Sequence, residues 1–229
     1  MGRNKRKYVI SSWKGIDNVK ANAGKANHTT ASVQSYSIFG LASNRSKIAR
    51  QLLNSVLPQP KSIAIRQRLQ NAFSKWLQTQ PSNDAAPLDQ IPFFNGLTLN
   101  EKNEWRPFLK FPVSVSRLTH GQLMLHTPAF DPVQQIKAPA NTKRVYLKIA
   151  VAGLGMENPA QQEAFQTELA IQYIPGILPA QDIRLQLATL PGRLVLVSMA
   201  LQYFTGNTAE QTASQLPWKP AGIVGSFYN

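Results

Sequence analysis

The sequence predicts an α+β protein, with an N-terminal hairpin and helical pair followed by an antiparallel β-sandwich of the immunoglobulin or fibronectin type. Three observations predict this class. Apolar residues recur at helical spacing between residues 38 and 77, they alternate with polar residues from about residue 93 onward, and Gly or Pro separates most of the alternating runs. The chain has 229 residues and is 43% hydrophobic, which is enough for a folded core. We divide it into a basic region, 1–85, and a β-sandwich domain, 86–229.

The first element is a small hairpin. Two strand-like runs, Tyr8 to Trp13 and Ile16 to Val19, flank a turn at Lys14-Gly15. A polar stretch follows and ends in Thr29 and Thr30, either of which can cap a helix.

Two amphipathic helices come next. The first carries an apolar stripe at spacings of three and four and ends before Pro58; its members are Ile38, Leu41, Ala42, Ile48, Ala49, Leu52, Leu53 and Val56. The second runs roughly from Lys61 to Gln78, and we expect the two to pack as an antiparallel pair across the turn at Pro58 and Pro60. The Pro-, Ser- and Asp-containing stretch from Gln78 to Pro92 reads as a linker.

The C-terminal part is predicted to form about seven short strands, the number typical of an immunoglobulin-like sandwich. They are Phe108 to Leu118, Gln122 to His126, Val145 to Ala152, Glu168 to Ile174, Ile183 to Leu190, Leu194 to Phe204 and Gly222 to Tyr228. The clearest expected hairpin joins the two alternating runs on either side of Pro191-Gly192.

The positive charge is concentrated in one region. Residues 1–80 contain 14 Lys and Arg and a single acid, Asp17, so their net charge is 14 − 1 = +13. The other 149 residues hold 11 basic and 10 acidic residues, or 11 − 10 = +1. Such an asymmetry indicates a binding region for nucleic acid or another polyanion, joined to a nearly neutral scaffold.

Within the second helix, Lys61, Arg68 and Lys75 are seven residues apart and fall within about 40° of one another. They form a basic ridge that could follow phosphates, although long basic side chains also simply solvate the flank of an apolar stripe. Together with the basic N-terminus they are the candidate polyanion-binding residues: Arg3, Lys5, Arg6, Lys7, Lys14, Lys61, Arg68 and Lys75. Tyr8, Trp13 and Tyr36 could stack on bases or cover the helices beside them.

No catalytic, metal or cofactor signature stands out. The absence of Cys excludes disulfides, thiolate zinc sites and a cysteine nucleophile. His28, His120 and His126 are scattered in the sequence, and none stands at metal-ligand spacing or beside a carboxylate. The Gly153 to Gly155 stretch lacks the strand-to-helix context of a phosphate loop. We expect a protein that is not an enzyme and has no cofactor.

No membrane or secretion signal is expected either. The longest apolar run, Leu194 to Leu201, is far below the roughly 20 residues that span a bilayer. The apolar part of the N-terminal stretch is too short and too polar for a secretory signal. We expect a soluble, cytoplasmic protein.

The layout resembles an uncharacterised family of basic proteins from Bacteroidota-type bacteria. The likeness is carried by "SSWKGIDNVKANAGKANHTTASVQSYSIFGLAS", by "LPGRLVLVSMALQYF" and by the closing "AGIVGSFYN". It implies a basic hairpin, a helical stretch and a fibronectin-like β-domain without enzymatic activity, and it transfers no functional residues. The basic cluster from Arg3 to Lys7 departs from the glycine-rich opening of that family.

Two functions from different classes follow from these features. The first is a non-enzymatic binding protein whose N-terminal region contacts nucleic-acid phosphates or another polyanion without reading sequence. The second is a structural subunit of a larger phage- or capsid-like assembly, which could be a homo-oligomer, whose basic face docks on an acidic protein.

Overall fold

The computed structural model describes residues 8–13, 16–21, 30–79, 88–102, 104–118, 122–156, 161–187, 192–205 and 218–228, with side chains from residue 35 onward. The chain forms two compact units, Met1–Ser37 and Ile38–Asn229. The first contains strands β1 (Tyr8–Trp13) and β2 (Ile16–Ala21), which pair antiparallel with Trp13 opposite Ile16. The predicted N-terminal hairpin is therefore confirmed.

Two long helices follow the hairpin. Helix α1 runs over Thr30–Leu52 and α2 over Ile63–Thr79. Ser62 caps α2, since its hydroxyl accepts the Ile65 N–H at 3.1 Å and donates to the carboxylate of Glu101. We call residues 38–79 the helical layer.

The remaining elements are mostly strands, in two antiparallel sheets. The order along the chain is β3 (Leu88–Asp89), a 3-10 turn (Arg106–Phe108), β4 (Ser114–Arg117), β5 (Leu123–Thr127), the short helix α3 (Pro132–Gln135), β6 (Arg144–Gly155), β7 (Gln162–Gln172), β8 (Gln181–Leu185), β9 (Arg193–Phe204) and β10 (Ala221–Tyr228). One sheet has the order β3-β10-β9-β6-β7 and the other β4-β5-β8. The predicted α+β class with an antiparallel, β-rich C-terminal part is confirmed.

The middle strands of the five-stranded sheet, β6 and β9, are covered on both faces. On one face, α1 and α2 bury a set of side chains against Ala150, Ala152 and Leu154 of β6 and Leu194 and Leu196 of β9. The members of this cluster that belong to the helical layer or to the connection between the helices are Ala42, Ile48, Ala49, Leu53, Val56, Leu57, Ile65, Leu69, Ala72, Phe73 and Trp76. Small residues such as Ala150 and Ala152 let the helices approach the sheet closely.

The opposite face of the same strands meets the three-stranded sheet. Alternate residues of β6 and β9, including Val145, Val151 and Val197, share a second core with Val115 of β4 and Leu125 of β5. The result is a helix–sheet–sheet arrangement in which β6 and β9 form the middle layer. Because successive side chains of a strand point to opposite faces, these two strands contribute to both cores.

This arrangement places the helices differently from the sequence expectation. We divided the chain at residue 85, whereas the compact units are Met1–Ser37 and Ile38–Asn229. The apolar stripe of α2 finds its partner in the sheet, and its largest side chain, Trp76, meets Phe94 and Tyr228 at ring-centroid distances of 6.2 and 5.5 Å. The helical layer and the β-sheets are thus parts of one compact unit.

Two strand-level expectations are wrong. The segment Phe108 to Leu118 is not one strand: it begins in a 3-10 turn, and β4 covers only Ser114–Arg117, since Pro112 lacks the N–H that a ladder needs. The hairpin expected at Pro191-Gly192 does not form, because β8 pairs with β5 in one sheet while β9 pairs with β6 and β10 in the other.

A matched pair of substitutions in the helical layer tests the shared core. Phe73 is fully buried and meets Phe94 at 5.0 Å between ring centroids, whereas Phe39 is 61% exposed. We expect Phe73→Ala to lower the free energy of unfolding by about 3–5 kcal/mol through lost contacts and a cavity. Phe39→Ala should change it by less than about 0.5 kcal/mol. Urea denaturation followed by far-UV circular dichroism and by Trp fluorescence measures both.

A small effect of Phe73→Ala, or separate transitions for the helical and sheet signals, would contradict a core that helices and sheet share.

Candidate polyanion-binding face

The helical layer carries positive charge without any acid. Residues 38–79 contain seven Lys and Arg residues and no Asp or Glu. Lys47, Lys61, Arg66 and Lys75 are exposed. The ion pairs found among the described residues join Arg117 to Asp89, Arg193 to Glu163 and His126 to Asp182, all outside this layer. A solvated surface normally mixes the two signs of charge, so this face is a candidate for binding anions.

Two of the arginines in this layer have structural contacts. Arg45 is only 3% exposed and donates a hydrogen bond of 2.5 Å from Nη2 to the carbonyl of Met156, just beyond β6. Its burial lowers the pKa of the guanidinium. Arg68 is half-buried and donates from Nη1 to the carbonyls of Thr98 and Asn100 at 3.3 and 2.6 Å. Both side chains tie the helices to the rest of the compact unit.

These contacts change the character of the ridge expected along α2. Lys61 precedes the helix, which begins at Ile63, and Lys75 lies exposed near its end. Between them, Arg68 lines a shallow pocket together with Glu101 and Glu104. The centre of this ridge, at Arg68, therefore has acidic residues beside it, whereas Lys61 and Lys75 at its two ends are exposed.

A second group of cations lies where α1 and the start of α2 come together. Arg50 donates from Nη1 to the carbonyl of Pro60 at 3.3 Å, and its Nε is buried without a hydrogen-bond partner. The Ser46 hydroxyl donates to the carbonyl of Arg66 at 3.2 Å, which links the two helices. Burial, and then the nearby positive charge of Arg66, lower the pKa of Arg50.

Lys47 completes this group, because it stands three residues before Arg50 on the same helix and therefore on the same side. We call Lys47, Arg50 and Arg66 the cationic cluster. The positive charges of Arg50 and Arg66 repel each other, and the helical layer has no carboxylate to balance them. An anion bound between the two guanidinium groups would offset this repulsion. The sequence shows each of these cations, but not that two helices bring Arg50 and Arg66 together.

The other expected site residues, Arg3, Lys5, Arg6, Lys7 and Lys14, lie outside the described residues, so their role stays a prediction. The backbone of the hairpin next to them, β1 and β2, is described.

One histidine does stand beside a carboxylate, contrary to the sequence analysis. His126 of β5 is directly opposite Asp182 of β8, with 2.6 Å between Nδ1 and Oδ1. Ser114 of β4 is opposite His126 on its other side, so the three residues form a row across the sheet. Asp182 and His126 are 64% and 47% exposed at their side chains, and the described structure shows no hydrogen bond from Ser114 to the imidazole. The row thus lacks the nucleophile–base contact of a hydrolytic triad.

Neither a metal centre nor a membrane helix is found in the part of the chain that is described. No three His, Asp or Glu side chains there come together as metal ligands. No described helix is long and apolar enough to cross a membrane.

The chain matches no protein-family model, no curated protein and no solved structure.

The structural role of Arg45 yields a direct test. Arg45→Met keeps the length of the side chain and removes a buried charge, so we expect a change in unfolding free energy of less than about 1.5 kcal/mol. Arg45→Ala leaves a cavity and should destabilise the protein by about 2–5 kcal/mol, as other large-to-small core substitutions do. Urea denaturation of both variants provides the comparison.

If Arg45→Met were as damaging as Arg45→Ala, the hydrogen bond to the Met156 carbonyl, and not the volume of the side chain, would be what stabilises the protein.

Proposed function

We propose that this chain is a non-enzymatic binding protein that contacts nucleic-acid phosphates, or another polyanion, through the basic face of the helical layer and the basic N-terminal residues. The observation that carries the proposal is a helical layer with seven cations, no acid and a pair of neighbouring arginines, Arg50 and Arg66. Exposed cations without a balancing carboxylate, such as Lys47 and Arg66, are suited to binding phosphate with release of counterions.

The side chains of the cationic cluster are of the types that bind phosphate. Guanidinium groups bind phosphate oxygens through paired N–H donors, and a lysine adds a point charge. The core that α1 and α2 share with the sheet fixes the helices on which these cations stand. Contacts to the backbone alone carry no sequence information, so the proposed binding is without sequence preference.

Several expectations from the sequence accompany this proposal. We retain a non-catalytic role without a cofactor, and a cytoplasmic location. The alternative partner is an acidic protein surface, which the same cations would bind within a larger assembly.

A salt titration of three variants tests the proposal. Binding of the full chain to labelled double-stranded DNA is followed by fluorescence polarisation from about 50 to 200 mM salt, where counterion release dominates. Lys47→Gln, Arg50→Gln and Arg66→Gln are combined in one variant, and we expect the slope of log affinity against log salt to become shallower by about 2 to 3. A second variant combines Lys61→Gln, Arg68→Gln and Lys75→Gln and tests the ridge on α2.

The matched control removes the same formal charge elsewhere. It combines Lys110→Gln, Lys143→Gln and Arg184→Gln, all exposed and outside the helical layer. An equal effect of the cluster variant and this control would reduce the binding to net charge and contradict a defined face. The absence of DNA and single-stranded RNA binding by the unmodified chain at low salt would favour the acidic protein partner.

A further inference from the structure

Strand β7 is a long edge strand, and no strand in the described part of the chain pairs with its outer side. It lies at one end of the five-stranded sheet and spans 11 residues. Its pairing with β6 is continuous from Gln162 to Gln172, so no bulge interrupts it. Its sequence, QEAFQTELAIQ, contains no Pro, Gly or Lys. Natural sheets normally shield an edge of this length with such residues or with a covering element.

The other described sheet edges of the larger compact unit are short. The opposite edge of the same sheet is β3, with two residues, and the smaller sheet ends in β4 and β8, with four and five residues. Short edges offer few free backbone groups to another chain. β7 is therefore the edge of this unit best suited to pairing.

The hydrogen bonds at both ends of β7 show which backbone groups face outward. The Tyr173 N–H donates to the Lys143 carbonyl, and the Gly155 N–H donates to the Gln161 carbonyl, both within the ladder to β6. Odd-numbered residues of β7 therefore direct their N–H and C=O groups toward β6. Even-numbered residues, from Gln162 to Gln172, direct theirs away from the sheet.

Most side chains of β7 have a matching partner about Thr167; the exception is Glu163, which faces the buried Ile171 and pairs with Arg193 of its own chain. In an antiparallel pairing of two copies centred there, Phe165 faces Leu169 and Ala164 faces Ala170. Gln162 faces Gln172 and Gln166 faces Glu168, so no like charges oppose one another. Phe165 and Leu169 are half-buried against the core between the sheets, and their contact across the pair would extend that core. The strand is thus complementary to itself.

We propose that β7 of one chain pairs antiparallel with β7 of a second copy, about a two-fold axis at Thr167. The outward N–H and C=O groups of Ala164, Gln166, Glu168 and Ala170 satisfy each other in this pairing, and the two sheets join into one. Ile174 and Ile177, which follow β7 and are 61% and 73% exposed, lie at the ends of the paired strands and add apolar surface there.

The symmetry has a consequence for the helical layers. Rotation about a two-fold axis perpendicular to the sheet does not exchange its two faces. The helix-covered faces of both copies therefore lie on the same side of the joined sheet. Both helical layers therefore lie on one side of the dimer, together with both cationic clusters. The pairing itself does not depend on polyanion binding, but a dimer of this form would present two basic faces to one extended ligand.

A charge-exchange experiment tests the register. Ala164 and Ala170 are exposed and face each other across the proposed pair. A variant with Ala164→Lys and Ala170→Lys places like charges opposite each other twice, and we expect it to dimerise more weakly by at least about tenfold. A variant with Ala164→Glu and Ala170→Lys places opposite charges there and should dimerise within about threefold of the unmodified chain. Sedimentation velocity over a micromolar concentration series measures the dissociation constants.

A proline variant of β7 serves as the control. Gln166→Pro removes an N–H that faces away from β6, so it blocks the pairing without removing a bond of the sheet and should give a monomer with unchanged circular dichroism. A monomeric unmodified chain at about 100 μM, where a weak dimer would still form, would overturn the proposal. A dimer that persists with both lysines or with the proline would overturn it too, because the interface would then lie elsewhere.

Discussion

Burial of β6 and β9 on both faces is the constraint on which the rest of this structure depends. Each strand supplies one set of side chains to the core beneath the helices and another to the core between the sheets. Without α1 and α2, the apolar residues Leu154, Leu194 and Leu196 would be exposed, at a cost of roughly 1.5–3 kcal/mol for each side chain. The helical layer therefore covers one face of the sheet and also carries the exposed basic residues.

This dual role explains how the cations are divided. Arg45 and Arg68 reach toward carbonyl groups beyond the helices and fasten the layer to the sheet side. Lys47, Arg50 and Arg66 stand where α1 meets the start of α2, and Lys61 and Lys75 remain exposed. A helix whose apolar stripe is fixed in a core presents its polar side in a constant orientation. The proposed phosphate contacts and the proposed pairing of β7 both use surfaces fixed in this way.

Much of the local structure was predictable, because the helical and strand periods depend on residues that are close together in the sequence. Which elements pack or pair with one another was less predictable. The stripe of α2 shows that Phe73 and Trp76 are buried but not what covers them, and Pro191-Gly192 favours a turn without deciding which sheet the chain enters next. The apolar residues of β9 predicted a strand, yet their burial on both faces was not foreseen. The proximity of Arg50 to Arg66 and the contact of His126 with Asp182 involve residues distant in sequence, and only the fold brings them near each other.

Native-state hydrogen exchange tests the central claim, that the basic helices and the central strands form one cooperative core. Amides of α2 that are buried beside Leu69 and Phe73 should exchange with the same free energy of opening as those of β6 and β9, close to the global value. Exchange of α2 through a separate opening of much lower free energy, with β6 and β9 still protected, would contradict the account. The helical layer would then be an independent, loosely docked module.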